Sequence, residues 1–230
     1  MARATRKKPA ETAAEALPGP DWAATTEQLM LDEALKLIPR EGWTSLMTRN
    51  AGKACGLSAG ETELLLPQGP ADLAALLSRR HDAAALGALG KLDPAALKIR
   101  ERIAAGVAAR LEAACADDAV VRRLNGWFTL PQNMALGARL AWESADKIWR
   151  WAGDVATDEN HYSKRVLLAG ILSGALAIRL SSGAEAAKTF TDRRIENVMA
   201  FEKWKATTSF RPSQIVARFA ESLGRMRYGA

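Results

Sequence analysis

Cysteine, histidine and tyrosine are scarce in this chain of 230 residues, with two of each. The two thiols, Cys55 and Cys115, are too few and too far apart to form a disulfide framework or a metal knuckle, so we expect reduced, buried thiols. β-Branched residues are sparse, and no stretch alternates apolar and polar residues for long. Alanine is abundant instead, which predicts an all-α protein.

Groups arranged for bond-breaking chemistry are also missing from the sequence. Asp158 and His161 have the spacing of half a di-iron site in a helical bundle, but the chain has no second half. The serines lack a nucleophile elbow, and Gly170 and Gly174 lie in an apolar helix rather than in a phosphate loop. We therefore expect no catalytic residues, no metal site and no cofactor, so the protein is not expected to be an enzyme.

The charge balance favours an anionic partner. A net charge of +6 and a pI near 9.5 suit either nucleic acid or the surface of an acidic bilayer. The first 21 residues carry Arg3, Arg6, Lys7 and Lys8 but no apolar core of signal-peptide length. This segment is either a disordered basic arm or a transit peptide.

Helical periodicity and capping residues predict about ten helices and no strand. The helices are expected at 22–38, 44–55, 59–66, 71–92, 95–116, 118–128, 132–151, 160–180, 184–204 and 211–228. They divide the chain into a basic arm (1–21), a helix-turn-helix region (22–70), a larger helical domain (71–205) and a C-terminal amphipathic helix (206–230).

The order of the first three helices looks like that of TetR-type transcriptional repressors, with Gly56 in the turn between the second and the third. In such repressors the third helix enters the major groove of DNA. Here that helix carries Glu61 and Glu63, and no Arg, Lys, Asn, Gln or Tyr that reaches a base edge or a phosphate. The two carboxylates oppose binding to a polyanion, so no nucleic-acid partner is expected. A ligand-responsive repressor remains the alternative function.

Three motifs carry a resemblance to a known family. They are Leu-Pro-x-Asn at 130–133, Trp-x-x-Ala-Gly-Asp-x-x-Thr-Asp at 149–158 and Tyr-x-x-Arg at 162–165. With them the chain resembles, from about Leu29 to Lys205, the lipid-binding ubiquinone-biosynthesis proteins, the ninth-numbered member of the coenzyme Q pathway. The resemblance implies a TetR-like fold and a non-enzymatic homodimer that presents polyprenyl quinone intermediates to a modifying enzyme. It implies attachment to the inner membrane from the bacterial cytoplasm, or alternatively from the mitochondrial matrix.

The apolar helix from Val166 to Leu180 is too short to cross a hydrocarbon core of ~30 Å, and we expect it to be buried. Gly170 and Gly174 would let either another helix or a ligand chain approach closely. Family members hold isoprenoid lipid among such helices. The resemblance therefore implies a lipid pocket that is lined by Leu124, Phe128, Leu136, Leu140, Leu168, Ile171, Leu172, Gly174, Leu176, Ile195 and Met199.

The resemblance also implies a docking patch for the di-iron hydroxylase that acts late on the quinone ring. The patch residues are Ile148, Trp149, Asp158, His161, Tyr162 and Arg165. His161 stands where relatives often have Trp, which removes an aromatic side chain of the kind that dominates interfaces and favours a weaker or different partner. The alternative is that Trp149 and Tyr162 belong to the core.

A basic amphipathic helix closes the sequence. It is predicted to lie in the headgroup plane of an anionic membrane, or else to pack on its own core or on a second subunit. The membrane-binding residues of this helix are expected to be Ile215, Arg218, Phe219, Leu223, Arg225 and Met226.

Overall fold

The computed structural model describes residues 21–155 and 159–207, which form eight α-helices and one 3₁₀ turn, with no β-strand in that part of the chain. The helices are α1 (Trp22–Glu41), α2 (Ser45–Ala54), α3 (Ala59–Leu65), α4 (Pro70–Leu89), α5 (Ile99–Ala114), α6 (Asp118–Phe128), α7 (Pro131–Trp151) and α8 (Glu159–Thr207), with the 3₁₀ turn Pro94–Ala96 before α5. The prediction of an all-α fold is confirmed.

The count of about ten helices differs from the structure for two reasons. The two helices predicted at 160–180 and 184–204 form the single element α8, which is interrupted at Gly183, where φ is 86° and ψ is −176°. The break therefore lies where the sequence placed it. The tenth predicted helix, 211–228, lies outside the described residues.

Local capping explains the helix-turn-helix region. The Thr44 side chain caps α2 by accepting a hydrogen bond from the Met47 amide at 3.1 Å. Ser58 and Glu61 form a reciprocal capping box at the start of α3. Gly56, between the two helices, has a φ of 77°, a conformation that glycine adopts without steric cost.

The first hydrophobic core lies around this region. Helices α1, α2, α4 and α6 supply most of it, and its buried residues include Met30, Ile38, Met47, Leu73 and Leu124. Helix α1 continues past the predicted end at Ile38, through Pro39 to Glu41, and terminates at Gly42, where φ is 67°. The helix-turn-helix thus packs as one body with α1 and α4.

The second core joins α5, α7 and α8. Its buried residues include Ile103, Val107, Ile148, Leu168 and Leu172. Gly106 of α5 is buried against the side chain of Ile148, and a methyl group at position 106 would overlap that side chain. Helix α4 packs against both α5 and α7 and so connects the two cores.

One face of α8 is open to solvent, contrary to the prediction of a fully buried helix. Val166 is 60% exposed and Leu167 is 43% exposed, whereas Leu168 and Leu172 are buried. By length and composition alone, His161–Ala200 would suffice to cross a bilayer, but such a stretch also occurs in the core helices of soluble proteins. The apolar residues of this helix thus divide between the second core and an uncovered face.

Candidate functional site

The join between α7 and α8 is built from the motif residues. Gly153 follows the last turn of α7 with a φ of 89°. Its amide donates to the Arg150 carbonyl at 3.0 Å, and the Asp154 amide donates to the Trp149 carbonyl at 3.0 Å. This is the Schellman arrangement, which satisfies the free carbonyls at a helix end and requires a residue with positive φ. The spacing of Trp, Gly and Asp in the motif follows from that geometry.

The Leu-Pro-x-Asn motif has a comparable role at the other end of α7. Pro131 occupies the first turn of α7, where its missing N–H has no helical partner in any case. The Asn133 side-chain amide donates to the Trp127 carbonyl at 3.0 Å. This motif therefore ties the end of α6 to the start of α7.

Arg165 is buried at the join between α7 and α8 and forms ion pairs there. Its side chain is only 1% exposed and lies between two carboxylates. Its Nε donates to Asp146 Oδ1 at 2.6 Å, and its Nη1 donates to Asp154 Oδ2 at 3.1 Å and to the His161 carbonyl at 3.0 Å. A buried guanidinium must be paired in this way because an isolated buried charge is costly.

Lys164 completes the same network on the side of Trp149. Its Nζ donates to Asp154 Oδ1 at 2.7 Å and lies 5.3 Å from the centre of the Trp149 ring, a cation–π distance. The Trp149 indole N–H donates to the Lys164 carbonyl at 3.1 Å. The α7 and α8 motifs are thus bonded to one another through their side chains.

The carboxylates of this network have perturbed acidities. Burial by itself would raise the pKa of Asp154, but hydrogen bonds from Lys164 and Arg165 hold the pKa below its ordinary value. At Asp146, burial likewise opposes the hydrogen bonds from Arg165 and Arg150, and the net pKa is again lowered. Both groups are therefore ionised at neutral pH.

A cavity of about 520 Å³ opens beside this network and is called cavity 1 here. Helix α5, the end of α7 and both parts of α8 form its walls. Apolar side chains cover most of the interior, and Arg100, Arg102, Asp154, Ser163 and Lys164 form a polar edge. The apolar residues lining cavity 1 include Ile99, Ile103, Trp149, Leu167, Leu168, Ile171, Ile195, Val198 and Met199.

Arg102 fixes the polar edge of cavity 1 in place. Its Nε donates to the Leu97 carbonyl at 2.9 Å, and its Nη1 donates to the Ala152 carbonyl at 2.7 Å. These bonds join the start of α5 to the end of α7. An apolar chamber with a few fixed polar groups at one side is the usual form of a site for an amphiphilic small molecule.

A second cavity, of about 450 Å³, lies nearer α6 and is called cavity 2 here. Its walls come from α4, α5, α6, α7 and α8. The predicted lipid-pocket residues are divided between the two cavities. Leu168, Ile171, Ile195 and Met199 line cavity 1, and Phe128, Leu140, Leu172 and Leu176 line cavity 2.

Three predicted pocket residues line neither cavity 1 nor cavity 2. Leu124 is buried in the first core, and Leu136 is half-buried on α7. Gly174 faces Phe190, since a Cβ at this position would lie 2.8 Å from Phe190 Cζ. The small residue at 174 thus allows the two parts of α8 to pack closely, which was the alternative to a ligand slot.

The predicted partner patch is only partly at the surface. Ile148 and Arg165 are buried, Trp149 lies in the wall of cavity 1, and His161 is half-buried. Tyr162 is 64% exposed, and its ring centre lies 6.1 Å from that of Trp142. Asp158 lies outside the described residues. Outside them too lie the predicted membrane-binding residues, Ile215, Arg218, Phe219, Leu223, Arg225 and Met226.

Sequence reasoning missed several residues of this site, among them Trp142, Asp146, Lys164 and Arg102. Asp146 lies one helical turn before Trp149, on the same side of α7, and that spacing is the only signal in the sequence that could have found it. Among the residues that the structure describes, no group of three or more His, Cys, Asp or Glu side chains is placed to hold a metal ion.

Comparison with known proteins identifies relatives over most of the chain. The family model for COQ9 matches residues 134–202, which form most of α7 and α8. The chain is 28% identical over 187 residues to the mitochondrial ubiquinone biosynthesis protein COQ9-B of Xenopus laevis, covering 75% of this chain and 62% of that protein. It is 27% identical over 190 residues to the mitochondrial ubiquinone biosynthesis protein COQ9 of Rattus norvegicus, covering 74% of this chain and 57% of the relative.

The match therefore spans about three fifths of the length of these curated relatives. The family match covers the join between α7 and α8 together with three of the four helical segments that line cavity 1. The resemblance suggested by the three sequence motifs is confirmed, and this chain is related to the ubiquinone biosynthesis proteins of the COQ9 family.

Proposed function

We propose that this chain is a non-enzymatic, lipid-binding accessory protein of ubiquinone biosynthesis, which binds polyprenyl quinone intermediates at a membrane and presents them to a di-iron hydroxylase. The single observation that carries the proposal is cavity 1, whose wall combines residues of the Trp-x-x-Ala-Gly-Asp motif with a polar edge. Trp149, Gly153, Asp154 and Lys164 all lie in its wall. Residues that mark the family thus form the boundary of an apolar chamber.

The chemistry of cavity 1 matches an amphiphile with a long apolar tail. Its volume of about 520 Å³ suits part of a polyprenyl chain. Leu167 and Met199 are exposed and also line the cavity, so the chamber reaches the protein surface and a longer tail has an exit. Burial of each methylene of such a tail contributes about 0.8 kcal/mol to the free energy of binding. Arg102 and Lys164 supply N–H donors for an oxygen on the quinone ring of the ligand.

The setting of cavity 1 also supports presentation to a partner. Tyr162 is exposed on the same helix as Lys164 and Leu167, within about two turns. We propose that the hydroxylase docks over Tyr162 and Trp142, next to the opening, and that the C-terminal segment attaches the protein to the membrane surface. We also propose that the protein is a homodimer attached to the inner membrane, on the cytoplasmic side in bacteria or on the matrix side in mitochondria.

The test is lipid content after purification from a ubiquinone-producing host. Leu167→Trp places an indole at the opening of cavity 1, and we expect the amount of polyprenyl lipid per protein, measured by mass spectrometry, to fall on the order of tenfold. Val166→Trp is the matched control, because Val166 is the neighbouring exposed residue and does not line the cavity. Equal lipid content in the two variants, or a wild-type protein without prenyl lipid, would contradict the proposal.

A further inference from the structure

Cavity 2 has a floor formed by a cluster of charged side chains around a buried aspartate, Asp82. Asp82 of α4 is only 3% exposed and accepts hydrogen bonds from Arg110 Nε at 2.6 Å, Ser144 Oγ at 2.6 Å and Lys147 Nζ at 2.7 Å. The Arg110 Nη2 also donates to Ser78 Oγ at 3.2 Å. Arg110, Ser78 and Ser144 all form part of the cavity wall.

The charges of this cluster do not cancel. Asp82 supplies one negative charge, whereas Arg110 and Lys147 supply two positive charges, which leaves a net charge of +1. The neighbouring His81 is neutral at pH 7, because burial and the nearby Arg110 lower its pKa to about 4. The floor of cavity 2 therefore favours an anion.

Hydrogen bonds hold the Arg110 side chain in one orientation, and part of its guanidinium stays available for a ligand. The carboxylate of Asp82 and the hydroxyl of Ser78 fix its guanidinium through Nε and Nη2. Among the hydrogen bonds within residues 21–155 and 159–207, Nη1 makes none, so at least one N–H group remains for a further acceptor. A carboxylate is the partner whose geometry and charge a guanidinium matches best.

The remaining walls of cavity 2 are apolar. Phe128, Leu140, Leu172 and Leu176 line the cavity together with Arg110, and the exposed Met134 and Ala138 lie at its rim. A space of about 450 Å³ is large enough for a small ligand such as a medium-chain fatty acid. We infer that cavity 2 is a second ligand site, which binds a compact apolar monocarboxylate, such as a medium-chain fatty acid, through Arg110.

This site is separate from the one in the proposed function. Cavity 1 is lined by Leu168 and Ile171 of α8, whereas cavity 2 is lined by Leu172 and Leu176, which come after them in that helix. None of the residues forming the floor of cavity 2 lines cavity 1. A fatty acid in cavity 2 would therefore leave the space for a polyprenyl ligand free.

Calorimetric titration of the full chain with sodium octanoate tests the inference, with 1-octanol as the comparison probe. We expect octanoate to bind at least about tenfold more tightly, because only the carboxylate forms a charge-assisted bond with Arg110. Ala138→Phe fills the rim while every residue of the ion cluster is kept, and it is expected to weaken octanoate binding by at least about tenfold. Ala135→Phe, an exposed position on α7 outside both cavities, should bind octanoate as the wild type does.

Two further variants separate the possible outcomes. Arg110→Met should abolish the preference for octanoate over 1-octanol; if this variant does not fold, Ala138→Phe decides the question alone. Leu167→Trp should keep octanoate binding even though it blocks cavity 1, so failure of the lipid proposal and failure of this one are distinguishable. Equal binding of octanoate and 1-octanol to the wild type, or unchanged octanoate binding in Ala138→Phe, would overturn the inference.

Discussion

At the scale of single residues, an ion pair between Asp154 and Arg165, eleven positions apart in the sequence, connects the Trp-x-x-Ala-Gly-Asp motif to the Tyr-x-x-Arg motif. Asp154 follows the Schellman end of α7 and is 6% exposed, and Arg165 lies on the first turns of α8. Their bond at 3.1 Å therefore fixes how the chain turns from one helix to the next. This ion pair adds to the hydrophobic contacts between α7 and α8 in the second core.

Asp154→Asn is predicted to destabilise the protein by about 3 kcal/mol at pH 7, since among the residues that the structure describes it leaves the buried Arg165 with Asp146 as its remaining carboxylate partner. The difference in the free energy of unfolding between the wild type and Asp154→Asn depends on pH. The pKa of Asp154 is lowered in the folded protein, so its contribution is present above the unfolded pKa of about 3.9 and is lost as the pH falls through the folded value. Urea unfolding at pH 7 and near pH 3 measures both effects.

A matched control for this prediction is Asp118→Asn. Asp118 also pairs with an arginine, Arg122, at 2.6 Å, but both side chains are more than half exposed. Surface pairs contribute about 0–1 kcal/mol, so this variant should remain close to the wild type. A difference between Asp154→Asn and the wild type that stays constant between the two pH values would contradict the assigned role of the carboxylate.

At the scale of helices, close packing of α5 on α7 depends on a missing side chain. Gly106 lies directly against Ile148, and a larger residue would push the two helices apart. We predict that Gly106→Ala lowers the free energy of unfolding by about 1–3 kcal/mol, although alanine is the better helix former. Thermal or urea unfolding of the purified protein provides the measurement.

The opposite effect on stability is expected at Gly87. This residue also lies within a helix, but an added Cβ would have no neighbouring atom within 4 Å. Gly87→Ala should raise stability by about 0.5–1 kcal/mol, because the unfolded chain loses conformational freedom. In an Ile148→Ala background, where the obstructing side chain is gone, the cost of Gly106→Ala should shrink. If both substitutions changed the free energy of unfolding equally, packing around the glycine would not determine whether alanine stabilises or destabilises the protein.

Most helices were predictable because their ends carry local signals. Thr44, Ser58 and Pro131 mark starts, and Gly56 and Gly183 mark breaks, since each acts on its own backbone. The end of α1 was missed because Pro39 indicates a stop, whereas the helix continues for one more turn. The exposure of Val166 was missed because a run that is apolar on all sides does not reveal which side meets solvent.

At the scale of the whole molecule, apolar residues of α7 and α8 that line a cavity could be predicted from the sequence, but their division between two cavities could not. Apolar residues on α7 and α8 were identified, yet no local pattern shows that Ile171 and Leu172, adjacent in sequence, line different cavities. The Asp82 cluster was missed for the same reason, because Asp82 bonds with Ser144 and Lys147, which lie more than sixty residues away along the chain. Long-range ion pairs leave no periodic signature.

The proposed partner surface makes a prediction at this scale. Tyr162→Lys should abolish co-purification with a di-iron hydroxylase, because it removes an exposed aromatic ring beside Trp142. The fold should remain intact, since Tyr162 is largely in solvent. Leu64→Lys is the control, because Leu64 is the more exposed side chain and lies on α3, away from the join. Wild-type recovery of the hydroxylase with Tyr162→Lys would contradict the surface assignment.

The interruption of α8 at Gly183 gives cavity 1 a thermodynamic consequence. Leu168 and Ile171 precede this residue, while Ile195 and Met199 follow it, so a molecule in the cavity contacts both parts of α8 at once. Such a ligand contributes RT ln(1 + [L]/Kd) to the folding free energy, about 2.7 kcal/mol at a hundredfold excess over Kd. With the proposed lipid in cavity 1, the midpoint of thermal denaturation would depend on lipid concentration, and unfolding and release of the lipid would form one coupled equilibrium.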